Sequence, residues 1–203
     1  MTAGIKANAD GSAAIQVGGS DAITITSGLN TTFAGTVTSA STVAGATGVL
    51  YPLVNGTAVS ASGTAINYTS IPSWVKRITV MFYGLSTNGG SLPLVQLGSG
   101  SIQTSGYLGR TNDISTNTAA YSTGFNLSSD GAAANTYFGA VTLTFSHATY
   151  WLINGILSRT DGNNQYRIAG GVILSGGALD QLRITTVNGT DQYDAGTINI
   201  LYE

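Results

Sequence analysis

The chain is 203 residues long, carries a net charge of −2 and is only 8% charged, against ~25% in ordinary soluble domains. That balance gives no electrostatic basis for binding nucleic acid or an anionic membrane, and the absence of cysteine excludes disulfides and thiolate metal sites. The length suits one ordinary domain, or one domain with an extension.

Helix signals are nearly absent. Glu203 is the sole glutamate, and Lys6 and Lys76 are the only lysines, so the residues that clothe surface helices are missing. No stretch approaches the ~18 continuous apolar residues of a membrane helix, and no membrane insertion is expected. The first residues lack the apolar run of a signal peptide, which implies synthesis in the cytoplasm without general secretion.

Residues 1–50 are built from Ala, Gly, Ser and Thr, with Phe33 as the one aromatic side chain. Short alternations place Ile15 with Val17 and Ile23 with Ile25, followed by Phe33 and Val37. Strands this small cannot close a core within one chain, so these six residues are candidate contacts of an extended arm that packs on other subunits. A leader without fixed structure is the alternative, because low hydrophobicity permits it. Residues 39–48 read as a linker.

Residues 51–203 hold both tryptophans, all ten tyrosines and every phenylalanine but Phe33. Runs rich in Thr, Val, Ile and Tyr predict strands over 75–83, 93–97, 123–127, 138–145, 150–157, 165–173, 181–187 and 197–202. Asn88-Gly89, Asp130-Gly131, Asp161-Gly162 and Asn188-Gly189 supply turns between them. About eight antiparallel strands at this spacing predict an all-β, jelly-roll-like sandwich following the arm. Within 197–202, Ile198, Ile200 and Tyr202 share a face; within 138–145, Val141, Leu143 and Phe145 do, with Thr142 and Thr144 opposite.

An enzyme needs groups that titrate or coordinate near its working pH, and this chain offers few. His147 is the single histidine; it stands beside a turn, and no Gly-x-Ser-x-Gly precedes it. Asp191 and Asp194 are close in sequence and could hold an ion, but no calcium-loop spacing surrounds them, and Asp in such loops ordinarily caps backbone amides. Asp161 and Asp180 read the same way. The glycine clusters Gly98-Ser99-Gly100 and Gly170-Gly171 lack the Gly-Lys-Ser/Thr of a phosphate loop and read as turns or thin spots. No catalytic residue, cofactor or metal is expected. Tyr107, Tyr121, Tyr137 and Tyr166 are candidate surface or receptor contacts, since exposed Tyr gives rigid amphipathic contact area; each could equally be a core or interface ring.

Residues 71–82 with 84–89, and residues 182–191 continuing through 193–203, resemble a C-terminal module of phage tail-fibre and related virion surface proteins. Gln96-Leu97-Gly98 and Gly106-Tyr107 fall between them at similar spacing, and the resemblance covers roughly residues 66–203. Residues 8–12, 15–19 and 33–37 are similar to segments of tail-fibre shafts and attachment regions. The resemblance implies a homotrimeric virion protein that attaches to another virion structural protein at one end and exposes a knob at the other. Tail fibres are usually much longer. The expected role is therefore a short tail fibre docked on the tail or baseplate and touching a host glycan or protein. The alternative is a capsid decoration protein whose arm binds the major capsid protein.

Overall fold

A computed structural model describes residues 4–7, 13–17, 20–22, 43–45 and 48–50, and residues 53–203 apart from 115, 116, 134 and 161–163. The chain divides into two compact units, Met1–Leu50 and Tyr51–Glu203. In the first, β1 (Gly4–Ala7), β2 (Ala13–Val17) and β3 (Ser20–Ala22) form an antiparallel sheet, and β4 (Val43–Gly45) pairs with β5 (Gly48–Leu50). Ile15 and Val17 fall on β2, with Ile15 opposite Ile5 and Ala22. Ile23, Ile25, Phe33 and Val37 lie outside the described residues.

The second unit begins with short strands β6 (Val54–Asn55), β7 (Val59–Ser60) and β8 (Ala65–Tyr68). Then come β9 (Arg77–Thr87), β10 (Pro93–Ser99), β11 (Ser101–Ile102), β12 (Tyr107–Asp113), β13 (Thr118–Ala120) and β14 (Phe125–Asn126). The long C-terminal strands are β15 (Tyr137–His147), β16 (Tyr150–Arg159), β17 (Gln165–Ile173), β18 (Gln181–Thr186) and β19 (Tyr193–Tyr202). They form a nine-stranded sheet, β13-β12-β17-β16-β15-β9-β19-β6 with β7 also on β19, and a five-stranded sheet, β11-β10-β18-β8 with β14 on β10. Every pairing is antiparallel, and one core cluster draws residues from both sheets, so the unit is an all-β sandwich. A jelly roll has eight strands in two Greek keys; here β15, β16 and β17 meander as consecutive hairpins within the larger sheet.

The period-two pattern accounts for the core. Ile198 and Ile200 on β19, and Val141 and Leu143 on β15, are buried, while Tyr202 and Phe145 pack partly buried against them. β12 was not legible as a strand because Gly109 interrupts it at a φ of +134°. A Cβ on Gly109 would lie 2.3 Å from the Ala169 carbonyl oxygen, and one on its cross-strand partner Gly170 would lie 2.5 Å from the Tyr121 ring. The two glycines form a hollow that the Tyr121 ring fills, an aromatic ring covering glycines in a sheet.

The four tyrosines expected as surface contacts are all buried, which corrects that expectation: Tyr107, Tyr121, Tyr137 and Tyr166 are 2%, 7%, 2% and 0% exposed. The reason is chemical. In a charge-poor chain the tyrosine ring fills core while its hydroxyl satisfies buried backbone. Tyr107 on β12 accepts from Leu97 N on β10 at 2.8 Å and donates to the Gln103 carbonyl at 3.0 Å. Its ring meets Phe125 edge-on at 4.8 Å. Tyr193 on β19 donates to the Thr185 carbonyl on β18 at 2.6 Å, and Tyr68 on β8 donates to the Ile198 carbonyl on β19 at 3.4 Å. Thr111 on β12 adds a bond to the Asn126 carbonyl on β14. Apart from the local bond to Gln103, each of these bonds joins one sheet to the other.

Burial pushes the Tyr68, Tyr107 and Tyr121 hydroxyls up to about 12, and raises Tyr137, Tyr166 and Tyr193 as well. For an acid whose folded value is raised, the stabilisation is full below the unfolded value and lost as pH climbs through the folded one. Stability should therefore be flat up to pH 10 and fall between pH 10 and about 12, with roughly 2–3 kcal/mol from Tyr107 alone. Denaturant midpoints measured across that range check this; an unchanged midpoint at pH 12 would show that the hydroxyls ionise freely.

Candidate functional site

The charged groups mostly tie loops down. Asp130 accepts from Arg159 Nη1 at 2.6 Å and from the Tyr166 hydroxyl, and its carbonyl accepts from Tyr137 at 3.2 Å, fixing the loop before β15 to the sheet. Arg77 pairs with Glu203. Asp180 accepts from Gly100 N, capping the turn after β10. His147 stacks on Tyr150 at 4.3 Å and contacts Ser146 Oγ at 3.1 Å, in a turn where Ala148 takes a φ of +50°. No carboxylate is hydrogen-bonded to that ring among the described residues, so the orienting third member of a nucleophile relay is missing there.

Asp191 and Asp194 do not converge. Asp194 lies on β19 rather than in the preceding loop, exposed beside the inward Tyr193. Asp191 accepts from Asn188 Nδ2 at 2.7 Å and from Ser91 N at 2.8 Å, so both oxygens hold donors. Asn88 and Gln192 bond through backbone and side chain, locking residues 88–91 to 188–192. No group of three or more His, Cys, Asp or Glu suited to a metal occurs among the described residues. Asp161 lies outside them.

Two surfaces stand apart from these loop pins. The first is a groove of about 430 Å³ on the outward face of the smaller sheet. Alternation along β18 buries Leu182 and Ile184 and turns Arg183 and Thr185 outward; along β10 it buries Val95 and Leu97 and turns Gln96 outward. Thr64, Thr104 and Thr123 come from flanking loops. Arg183 Nε donates to Asn67 Oδ1 at 2.9 Å, Gln96 Nε2 to the Thr123 carbonyl at 2.8 Å, and Thr185 Oγ1 to the Thr64 carbonyl at 2.8 Å. Sequence reading missed this groove. The signal was Arg183 alone between two inward residues, on a face of hydroxyls and amides.

The second is the outward face of the larger sheet. Leu152 on β16 stands opposite Gly171 on β17, which stands opposite Leu108 on β12, and the Leu152 side chain leans over the glycine. Leu108 is 73% exposed, Leu152 and Ile156 are each 51% and Ile173 is 49%. Tyr83 and Phe138 form an edge-on pair farther along it, at 5.1 Å. The strands β9, β15, β16 and β17 contain no Asp or Glu; Arg110 and Arg167 are the cations on the β12–β17 side.

The hydrogen bonds from Asn188 and then Ser91 hold the Asp191 carboxyl below its ordinary value of 3.8. A depressed carboxyl contributes stability above the unfolded value that is lost as pH falls through the folded one. Melting temperature should therefore drop below pH 3.8, and Asp191→Asn should flatten part of that drop while speeding amide exchange in residues 88–91. A variant with the wild-type acid profile would contradict the pin.

No protein-family model matches the chain, and no curated protein or solved structure matches it either.

Proposed function

We infer that the chain is a non-enzymatic phage virion structural protein, a short homotrimeric tail fibre. In this reading its N-terminal unit docks on a tail or baseplate protein and its sandwich contacts the host surface. The observation that carries the reading is the outward face of the larger sheet. An apolar patch of this kind, on central strands without carboxylates, suits burial against further copies more than permanent contact with water.

The size is appropriate. Six adjacent strands at ~4.8 Å spacing, with a rise of ~3.3 Å per residue over about nine residues, give a face on the order of 900 Å², against ~800 Å² per partner in a standard interface. Few charges elsewhere on the chain oppose self-association. The stretches that carry the virion resemblance fall largely on β9, β10, β18 and β19. These strands form the middle of the smaller sheet and one flank of the larger. Asp130, Asp191 and His147 are occupied in loop pins and a ring contact, which supports a role in contact rather than catalysis.

Sedimentation equilibrium of the full chain at micromolar concentration should return a trimer. Leu108→Asp with Leu152→Asp should shift it to monomer while leaving the far-ultraviolet spectrum unchanged, since both side chains are solvent-facing in the isolated chain. A stable wild-type monomer, or a trimer indifferent to the double substitution, would overturn this use of the face.

A further inference from the structure

We propose that the groove on the smaller sheet binds an acidic saccharide, with Arg183 holding its carboxylate. The inference depends on the host-contact reading only for where such a saccharide would be met.

Among the described residues, the groove is lined by no acid and by one cation, Arg183. Its Nε is committed to Asn67 Oδ1 at 2.9 Å, which fixes the guanidinium plane. The two terminal nitrogens have no protein partner among the described residues. They present the parallel fork that matches a carboxylate. The loop carboxylates on either side of β18 are already occupied, Asp180 by Gly100 N and Asp191 by Asn188 and Ser91.

The rest of the lining is neutral and hydrogen-bonding. Gln96 spends its amide N–H on Thr123 and keeps Oε1 without a protein partner. The hydroxyls of Thr64, Thr104 and Thr123 are likewise unspent among the described residues. Mixed donors and acceptors at this density complement the hydroxyls of a sugar better than an apolar ligand, which would leave them unsatisfied. Among the described residues the lining includes no aromatic ring. A neutral hexose would therefore find no stacking platform, and binding must come from hydrogen bonds and the guanidinium. At about 430 Å³ the groove falls within the ordinary range of ligand sites, ~300–1,000 Å³.

The test is calorimetric titration of the full chain with matched saccharides: sialyllactose against lactose, and a galacturonic acid trisaccharide against its neutral galactose counterpart, with inorganic phosphate as the bare anion. At least one acidic saccharide should bind, at least ten times more tightly than its neutral partner and than phosphate, and more weakly as salt rises. Arg183→Met keeps the aliphatic stem and should weaken binding ~10-fold or more, in line with loss of a charge-assisted pair. Asn67→Ala, which frees the guanidinium, should weaken it less. Thermal melts of both variants establish that they are folded. No binding by any acidic member, equal binding of acidic and neutral partners, phosphate binding as tight as saccharide, or a folded Arg183→Met variant that binds like wild type would each overturn the proposal. Because the titration needs no particle, saccharide binding by a chain that is absent from virions would sink the virion role and leave the site standing.

Discussion

The sandwich depends on tyrosine hydroxyls that reach from one sheet to backbone of the other. Tyr107, Tyr193 and Tyr68 each place a ring in the shared core and its oxygen on a main-chain group across the interior. Thr111 does the same from β12 to β14. Aliphatic cores are forgiving of sliding, because apolar contact is non-directional. A hydroxyl that is the partner of one buried amide is not forgiving, since a shifted register leaves both groups unsatisfied at a cost of ~1–3 kcal/mol. The relative position of the two sheets is set in this way, and both outward faces follow from it.

Scarcity of charge shapes everything else. Where an ordinary domain would scatter ion pairs over its surface, this one uses them singly to hold loops: Asp130 with Arg159 before β15, and Arg77 with Glu203 at the start of β9. Asp191 and Asp180 cap amides instead of meeting cations. With those carboxylates committed, Arg183 stands in its groove without an acid among the described residues, and the larger sheet keeps a face on which Leu108, Leu152, Ile156 and Ile173 stand exposed among Thr, Asn and Arg side chains. One economy of composition thus produces both candidate surfaces.

What sequence reasoning could and could not see follows from the same physics. Alternation made β15, β16, β17 and β19 legible, because their inward residues are large aliphatics such as Leu143, Ile153, Ile168 and Ile198. It failed at β12, where no strand was predicted: Gly109 breaks the alternation, and its missing side chain admits the Tyr121 ring. It failed at β6, β7 and β8 because two- to four-residue edge strands carry too little period to register. The tyrosines were misplaced for a related reason: amphipathic rings are equally at home on loops and in cores, and only the partner carbonyl, distant in sequence, decides. Gln103 to Tyr107 is a local bond, whereas Tyr68 to Ile198 spans 130 residues and has no trace in any window. The groove was invisible because its lining comes from separate stretches around residues 64, 96, 104, 123 and 185. Asp191, in contrast, was read as a cap on backbone amides from its loop context; its bond from Ser91 N is of that kind, and the bond from the Asn188 side chain adds to it.

A fold pinned internally by neutral hydroxyls, with loops pinned by isolated charges and two uncommitted faces, is suited to standing in an assembly and touching something at its surface. The direct test of that account is immunogold electron microscopy of intact virions with antibody raised against this chain. Label clustered at the tail tip is the predicted result. Label spread over the head would replace the tail fibre with a capsid decoration protein, and particles without label would contradict the virion role altogether.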